Sequence, residues 1–193
     1  NTGGGSSADS TFLLQEIIMQ NVGNYCTVFF DPESVQECVQ KGIGEEVQIY
    51  VGGKVDDQHG NPVKIQGLVK NITDGIWEDS EIRHGGYTKY NQGITALVET
   101  SNGGSIILTT LRQPPQSIGQ ITHIGVDPNK KQLITTRGVI LPRPAYDPFA
   151  AKTILVNTKG TTTADLKNLN FKNIERGIYP INDPVFDIKV NNV

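Results

Sequence analysis

Three consecutive glycines, Gly3, Gly4 and Gly5, stand in NTGGGSSADST (residues 1–11), directly ahead of the apolar run FLLQEIIMQ. A glycine-rich loop that feeds a helix turns several N–H groups and the positive end of the helix dipole toward one point, which suits a carboxylate or phosphate. The spacing is not that of a Walker loop, since no Gly-Lys-Ser/Thr follows, and GxGxxG after a strand is absent. The competing reading is that the glycines only let backbone pass close to a neighbouring element. Arg112 adds a cation where an apolar, strand-like run gives way to a loop. Arg137 and Arg143 flank VILP in RGVILPRPAYDPFA, an extended connection stiffened by prolines. Each arginine either meets a carboxylate in bidentate geometry or spends itself on a carbonyl or a surface acid, and both fates are open. The candidate substrate- or anion-binding set is therefore Asn1, Gly3, Gly4, Gly5, Arg112 and Arg143.

Other chemistry is sparse in the sequence. His59, His84 and His123 lie far apart, each in or near a turn, without HExxH or another metal spacing, and read as solvated surface residues. Cys26 and Cys38 read as small core residues, no GxSxG elbow occurs, and the paired carboxylates Asp56–Asp57 and Glu45–Glu46 read as solvated turn or strand-edge surface. No catalytic residue and no metal ligand is assigned within the chain.

The elements that must position the candidates follow a mixed order. Phe12, Leu13, Leu14, Ile17 and Ile18 predict a helix of about three turns, with Asp9 and the serines before it as its start. YCTVFF (25–30) is a strand that runs into DPESVQECVQKGIG, where Asp31 caps a helix, Pro32 opens it, Val35, Cys38 and Val39 form its buried stripe and Gly42 ends it. EVQIYV is an alternating strand, VKIQGLVKNITDGIW a long strand weakened at Gly67, and GITALVET with SIILTTL flanks the turn Ser101–Gly104 as a hairpin. SIGQITHIGV is a short helix, KKQLITTRGV and AKTILVNT are further strands, and KGTTTADLKNL carries a brief helix near Asp165. These elements predict one α/β or α+β domain over residues 1–193, with a mixed, largely antiparallel sheet and a few flanking helices. With 193 residues, a net charge of -3 and scattered lysines and arginines, a nucleic-acid binder is not expected. No run approaches membrane-crossing length, and two unpaired core cysteines fit a cytoplasmic protein.

Five blocks then stand in order: NTGGGSSADSTFLL, DPESVQECVQKGIG, VGGKVDDQHGNPV, ITHIGVDPNKKQLITTRG and TKGTTTADLKNLNFKNIERGIYPIND. Together they resemble the C-terminal domain of the MlrC family, named for a microcystin-degrading metallopeptidase. The family's glycine block is similar to Asp-Asn-x-Gly-Gly-Gly-x-x-Gly-Asp-x-Thr, which Asn1, Gly3, Gly4, Gly5, Asp9 and Thr11 match, with Ala8 where a glycine is common. A family stretch similar to Lys-Ser-x-x-His-Phe-Arg-Ala is met by Arg137, Gly138, Leu141 and Arg143, of which only Arg143 matches. The resemblance implies a fragment of a longer protein whose preceding domain holds a zinc ion through an aspartate and histidines. It implies a zinc-dependent hydrolase of peptide or other amide bonds, to which this chain contributes a cleft wall and no metal ligand. The partner so implied is the N-terminal catalytic domain of the same polypeptide. A non-catalytic anion-binding or oligomerisation domain is the alternative of a different class.

Overall fold

The computed structural model describes residues 2–163, together with 165, 166, 169, 171–173 and 179. Strands β1 (Tyr25–Phe30), β2 (Glu46–Val51), β3 (Val63–Thr73), β6 (Thr95–Glu99), β7 (Ser105–Thr109) and β8 (Leu133–Thr135) form a six-stranded sheet in the order β2-β3-β6-β7-β1-β8. From β2 across to β7 the pairs are antiparallel, whereas β1 lies parallel to both β7 and β8. The expected mixed, largely antiparallel sheet is what the chain forms. The remaining two strands, β4 (Ile76–Glu78) and β5 (Lys89–Asn91), make a separate hairpin.

Helices cover both faces of the large sheet. On one face α1 (Phe12–Met19) and α2 (Pro32–Lys41) place Leu14, Ile17, Val35 and Cys38 against Phe29, Ile49, Val98 and Leu108. The opposite face carries α3 (Gly119–Thr122) and α4 (Arg143–Tyr146), whose Ile121, Ala145 and Tyr146 pack on Cys26, Leu97 and Ile107. Adjacent residues of β1 thus serve opposite cores, as the two-residue period of a strand dictates. The chain leaves β1 over the first face through α2, and leaves β7 over the second through α3. Between the carboxyl ends of β1 and β7 there is consequently a switch point, where open α/β sheets bind ligands.

Local chemistry explains α2 closely. Asp31 accepts from the Ser34 amide at 3.1 Å, Pro32 occupies the first turn and Gly42 closes the helix at φ 94°. Val39, expected in the buried stripe, is exposed instead, because Val35 and Cys38 already fill the contact with the sheet. Helix α1 is shorter than expected, and Thr11 rather than Asp9 precedes it. Asp9 is buried and its carboxylate accepts from the amides of Lys54 and Val55 at 2.9 and 3.0 Å, so it fastens the loop after β2 and caps no helix.

That loop begins at Gly52, where φ is 65° and an added Cβ would lie 2.5 Å from the Asp9 carbonyl oxygen and 2.8 Å from the Phe29 ring. Both backbone strain and overlap oppose a side chain there. Gly52→Ala is expected to lower unfolding stability by about 2–3 kcal/mol. The check is a urea titration; a change below half a unit of that scale would mean the loop yields freely.

Two strand expectations change. Residues 63–77 do not make one strand, since Asp74 and Gly75 break the run and send Ile76–Glu78 into the separate hairpin with β5. There Trp77 stacks between Tyr90 and His123, with ring centroids 5.3 and 4.9 Å away, and its indole N–H donates to Ser117 Oγ at 3.1 Å. Residues 151–158 enter no ladder, and Ile154, Leu155 and Val156 are exposed at 69%, 70% and 56%. The apolar run carries strand propensity, yet meets no free sheet edge. The brief helix expected near Asp165 lies largely outside the described residues; the Asp165 amide itself donates to Thr163 Oγ1.

Candidate functional site

The N-terminal loop crosses the carboxyl ends of β7, β1 and β8. Thr2–Gly4 forms one 3-10 turn, and the Thr2 amide donates to the Arg137 carbonyl beyond β8 at 3.0 Å. The Phe30 amide at the end of β1 donates to the Ala8 carbonyl at 3.1 Å. Two arginines then strap the loop down. Arg112, just after β7, donates through Nε to the Ser7 carbonyl at 3.0 Å and lays its guanidinium 4.0 Å over the Phe30 ring. Arg137 donates to the carbonyls of Ser10, at 2.8 Å, and Val28, with its guanidinium 4.0 Å over Phe29.

The expected helix-terminus anion hole is not built. Ser6 to Thr11 intervene between Gly5 and α1, and the Thr11 amide is taken by the His59 carbonyl. The glycines instead sit in an exposed turn at the strand ends, with Gly5 at φ 91°. Ala8 has φ 63°, which explains why a glycine suits that position of the family block.

Two hollows open beside this loop. The smaller, of about 20 Å³, lies between Ala8, Phe30, Arg112, Thr135 and Arg137 and admits a single water. The larger is an open groove of about 700 Å³ bounded by Thr2, Gly5, Ser7, Asp56, Arg112 and Thr161. Its volume is that of a small-molecule site. Arg112 and Gly5 of the candidate set thus meet at one groove, with Gly3 and Gly4 in the adjoining turn. Arg143 is not brought there: it sits exposed at the start of α4, pairing with Asp147 at 2.9 Å. Asn1 lies outside the described residues.

Asp56, on the groove wall, belongs to a pair that the sequence did not single out. His59, read as a solvated histidine, is 3% exposed, and its Nδ1 lies 2.6 Å from Asp56 Oδ1. Its Nε2 accepts from the Thr161 amide at 3.4 Å, which leaves Nδ1 to donate to Asp56. The Gln58 amide, then the His59 ring, holds the Asp56 carboxyl below the usual carboxylate range. The only outward sign was a His three residues after an Asp in a turn, DDQHG, which is too common to carry weight.

Arg112 has no carboxylate within ion-pair distance among the described residues. Ser7, 7% exposed, has a hydroxyl with no partner among them. No group of three or more His, Cys, Asp or Glu among the described residues could hold a metal ion. Burial pushes the Cys26 and Cys38 thiols up to about 12, so neither is a nucleophile at neutral pH. No described helix is long and apolar enough to cross a membrane.

Known proteins resemble this chain in sequence and in fold. Microcystinase C from Sphingomonas sp is 23% identical over 138 residues, which is 71% of this chain and 26% of that protein. A crystal structure of a candidate metallopeptidase from Mesorhizobium sp. BNC1 superimposes with a TM-score of 0.74 at 20% identity, covering 91% of this chain and 35% of that one. The chain spans about a quarter of the first relative's length and about a third of the second's. Residues 1–173 match the family described as the MlrC C-terminus, nearly the whole of the chain, and the protein belongs to that family.

Proposed function

We propose that this chain is the accessory domain of a cytoplasmic, zinc-dependent hydrolase of peptide or other amide bonds, with the metal held by a preceding domain of the same polypeptide. The described residues offer no donor set that fits zinc, so their own work is to bind and orient a substrate. The observation that carries the reading is the groove between the N-terminal loop and the loops after β2 and β7, where Arg112 is held by Ser7 and Phe30 beside a glycine turn. A guanidinium fixed in this way keeps its fork aimed at a substrate carboxylate or carbonyl and loses little freedom on binding. The exposed glycines allow substrate backbone to approach closely.

In the longer protein, Arg112→Ala is expected to lower kcat/KM on an amide substrate by about 100-fold with zinc content unchanged. Steady-state kinetics with metal analysis is the measurement. Undiminished turnover, or full turnover by residues 1–193 alone, would overturn the reading. The alternative, a non-catalytic oligomerisation domain, draws on the exposed Ile154–Val156 run. It gains if the zinc-loaded protein fails on a broad amide panel yet self-associates through that run.

A further inference from the structure

We propose that the groove beside the glycine turn is a site for a small zwitterion, an amino acid or a short peptide with free termini, whose carboxylate meets Arg112 and whose ammonium meets Asp56. The inference deepens the reading of this groove as the substrate cleft and rests on it.

Each charge has one half engaged with the protein and one half turned free. Arg112 spends Nε on the Ser7 carbonyl and one ring face on Phe30, while its two terminal nitrogens have no partner among the described residues. Those two N–H groups form the edge that a carboxylate meets in bidentate fashion. The Ser7 hydroxyl, buried and unpartnered among the described residues, stands on the residue whose carbonyl Arg112 holds. Asp56 spends Oδ1 on the Gln58 amide at 2.8 Å and on His59 at 2.6 Å, and Oδ2 has no partner among the described residues.

Among the described residues no ion pair within 4.0 Å joins Arg112 to Asp56, so neither is held by the other. A simple anion in this groove would satisfy the cation and strip water from an unanswered carboxylate, and a simple cation would do the reverse. A ligand with both charges answers both groups at once, and discriminates against either half alone. Gly5 leaves the wall open at this point, since an added Cβ there would meet nothing within 4 Å.

The test is a titration of the longer protein, followed by calorimetry or NMR, with three probes: Gly-Gly, N-acetylglycine and glycinamide. Gly-Gly is expected to bind at least 10-fold more tightly than either of the others. Asp56→Asn should bring Gly-Gly down to the level of N-acetylglycine and leave N-acetylglycine unweakened, while Arg112→Gln weakens both. Circular dichroism establishes that each variant is folded, and the three-probe comparison on the unaltered protein needs no variant. Equal binding of Gly-Gly and N-acetylglycine would sink the zwitterion and leave an anion cleft. Binding of none of the three by a protein that still hydrolyses amides would sink it while sparing the hydrolase. Loss of both would remove the two together.

Discussion

Replacing Arg137 by alanine is expected to lower unfolding stability by about 4 kcal/mol, from two orphaned carbonyls and an unfilled space over Phe29. The guanidinium reaches the carbonyls of Ser10 and Val28, which belong to the N-terminal loop and to β1, and its backbone carbonyl receives the Thr2 amide. One residue therefore ties three segments beside the small hollow under the N-terminal loop. An opposing effect reduces the loss: burial pushes the guanidinium down to about 10, so removing it also removes the cost of dehydrating a charge. Both folded and unfolded chains keep the side chain protonated below that pH, so the difference between variant and parent should be flat from about pH 6 to 9. Arg137→Lys should recover only part of the loss, since a point charge cannot serve both carbonyls. Urea titrations across that pH range are the measurement, and an Arg137→Ala loss under about 1 kcal/mol would remove the residue from this role.

Where a sequence signal and its structural cause lie within a few residues, reading the sequence was sufficient. Asp31-Pro32 and Gly42 bracket α2 because a cap, a fixed φ and a positive φ act locally. Ser101–Gly104 joins β6 to β7 for the same reason, and Tyr25–Phe30 is β1 to the residue. Misreadings arose where distant partners decide. Asp9 has the composition of a helix cap, but amides more than forty residues later claim its carboxylate. The run Ile154–Val156 has the composition of a strand, but a strand also needs an edge to join, and no local pattern reports one.

The same division runs through the site. Arg112 was legible because a cation just past an apolar strand must emerge at a sheet end; the glycines were legible as a loop, but one expected to open a helix, whereas Ser6 to Thr11 intervene. Their meeting was not legible, since it depends on β1 lying between β7 and β8. Arg143 shares the apparent context of Arg112, yet the chain turns through Pro142 into α4 and spends it on Asp147. His59 was read as solvated because its burial comes from Thr11, Gly160 and Thr161, residues far from it in sequence.

Asp31→Ala is expected to cost about 3–4 kcal/mol, since it combines loss of a helix cap with buried donors left unanswered. The side chain, 1% exposed, accepts from the Ser34 amide, the Ser34 hydroxyl at 2.9 Å, the Gly52 amide at 2.9 Å and Lys54 Nζ at 3.0 Å. Those donors belong to the start of α2 and to the loop after β2, the loop that continues to Asp56 and His59. Asp31→Asn keeps an oxygen for one set of donors but turns an N–H2 group toward the other, so a loss of about 2 kcal/mol is expected. Lys54→Met separates the charge from the cap: it removes the ammonium and leaves both amides bonded, and should cost less than Asp31→Asn. Urea unfolding of the three variants reads the order Ala, Asn, then Lys54→Met. If Lys54→Met proved the most damaging, the ion pair rather than the pair of backbone amides would hold the loop to α2, and the cap would be secondary.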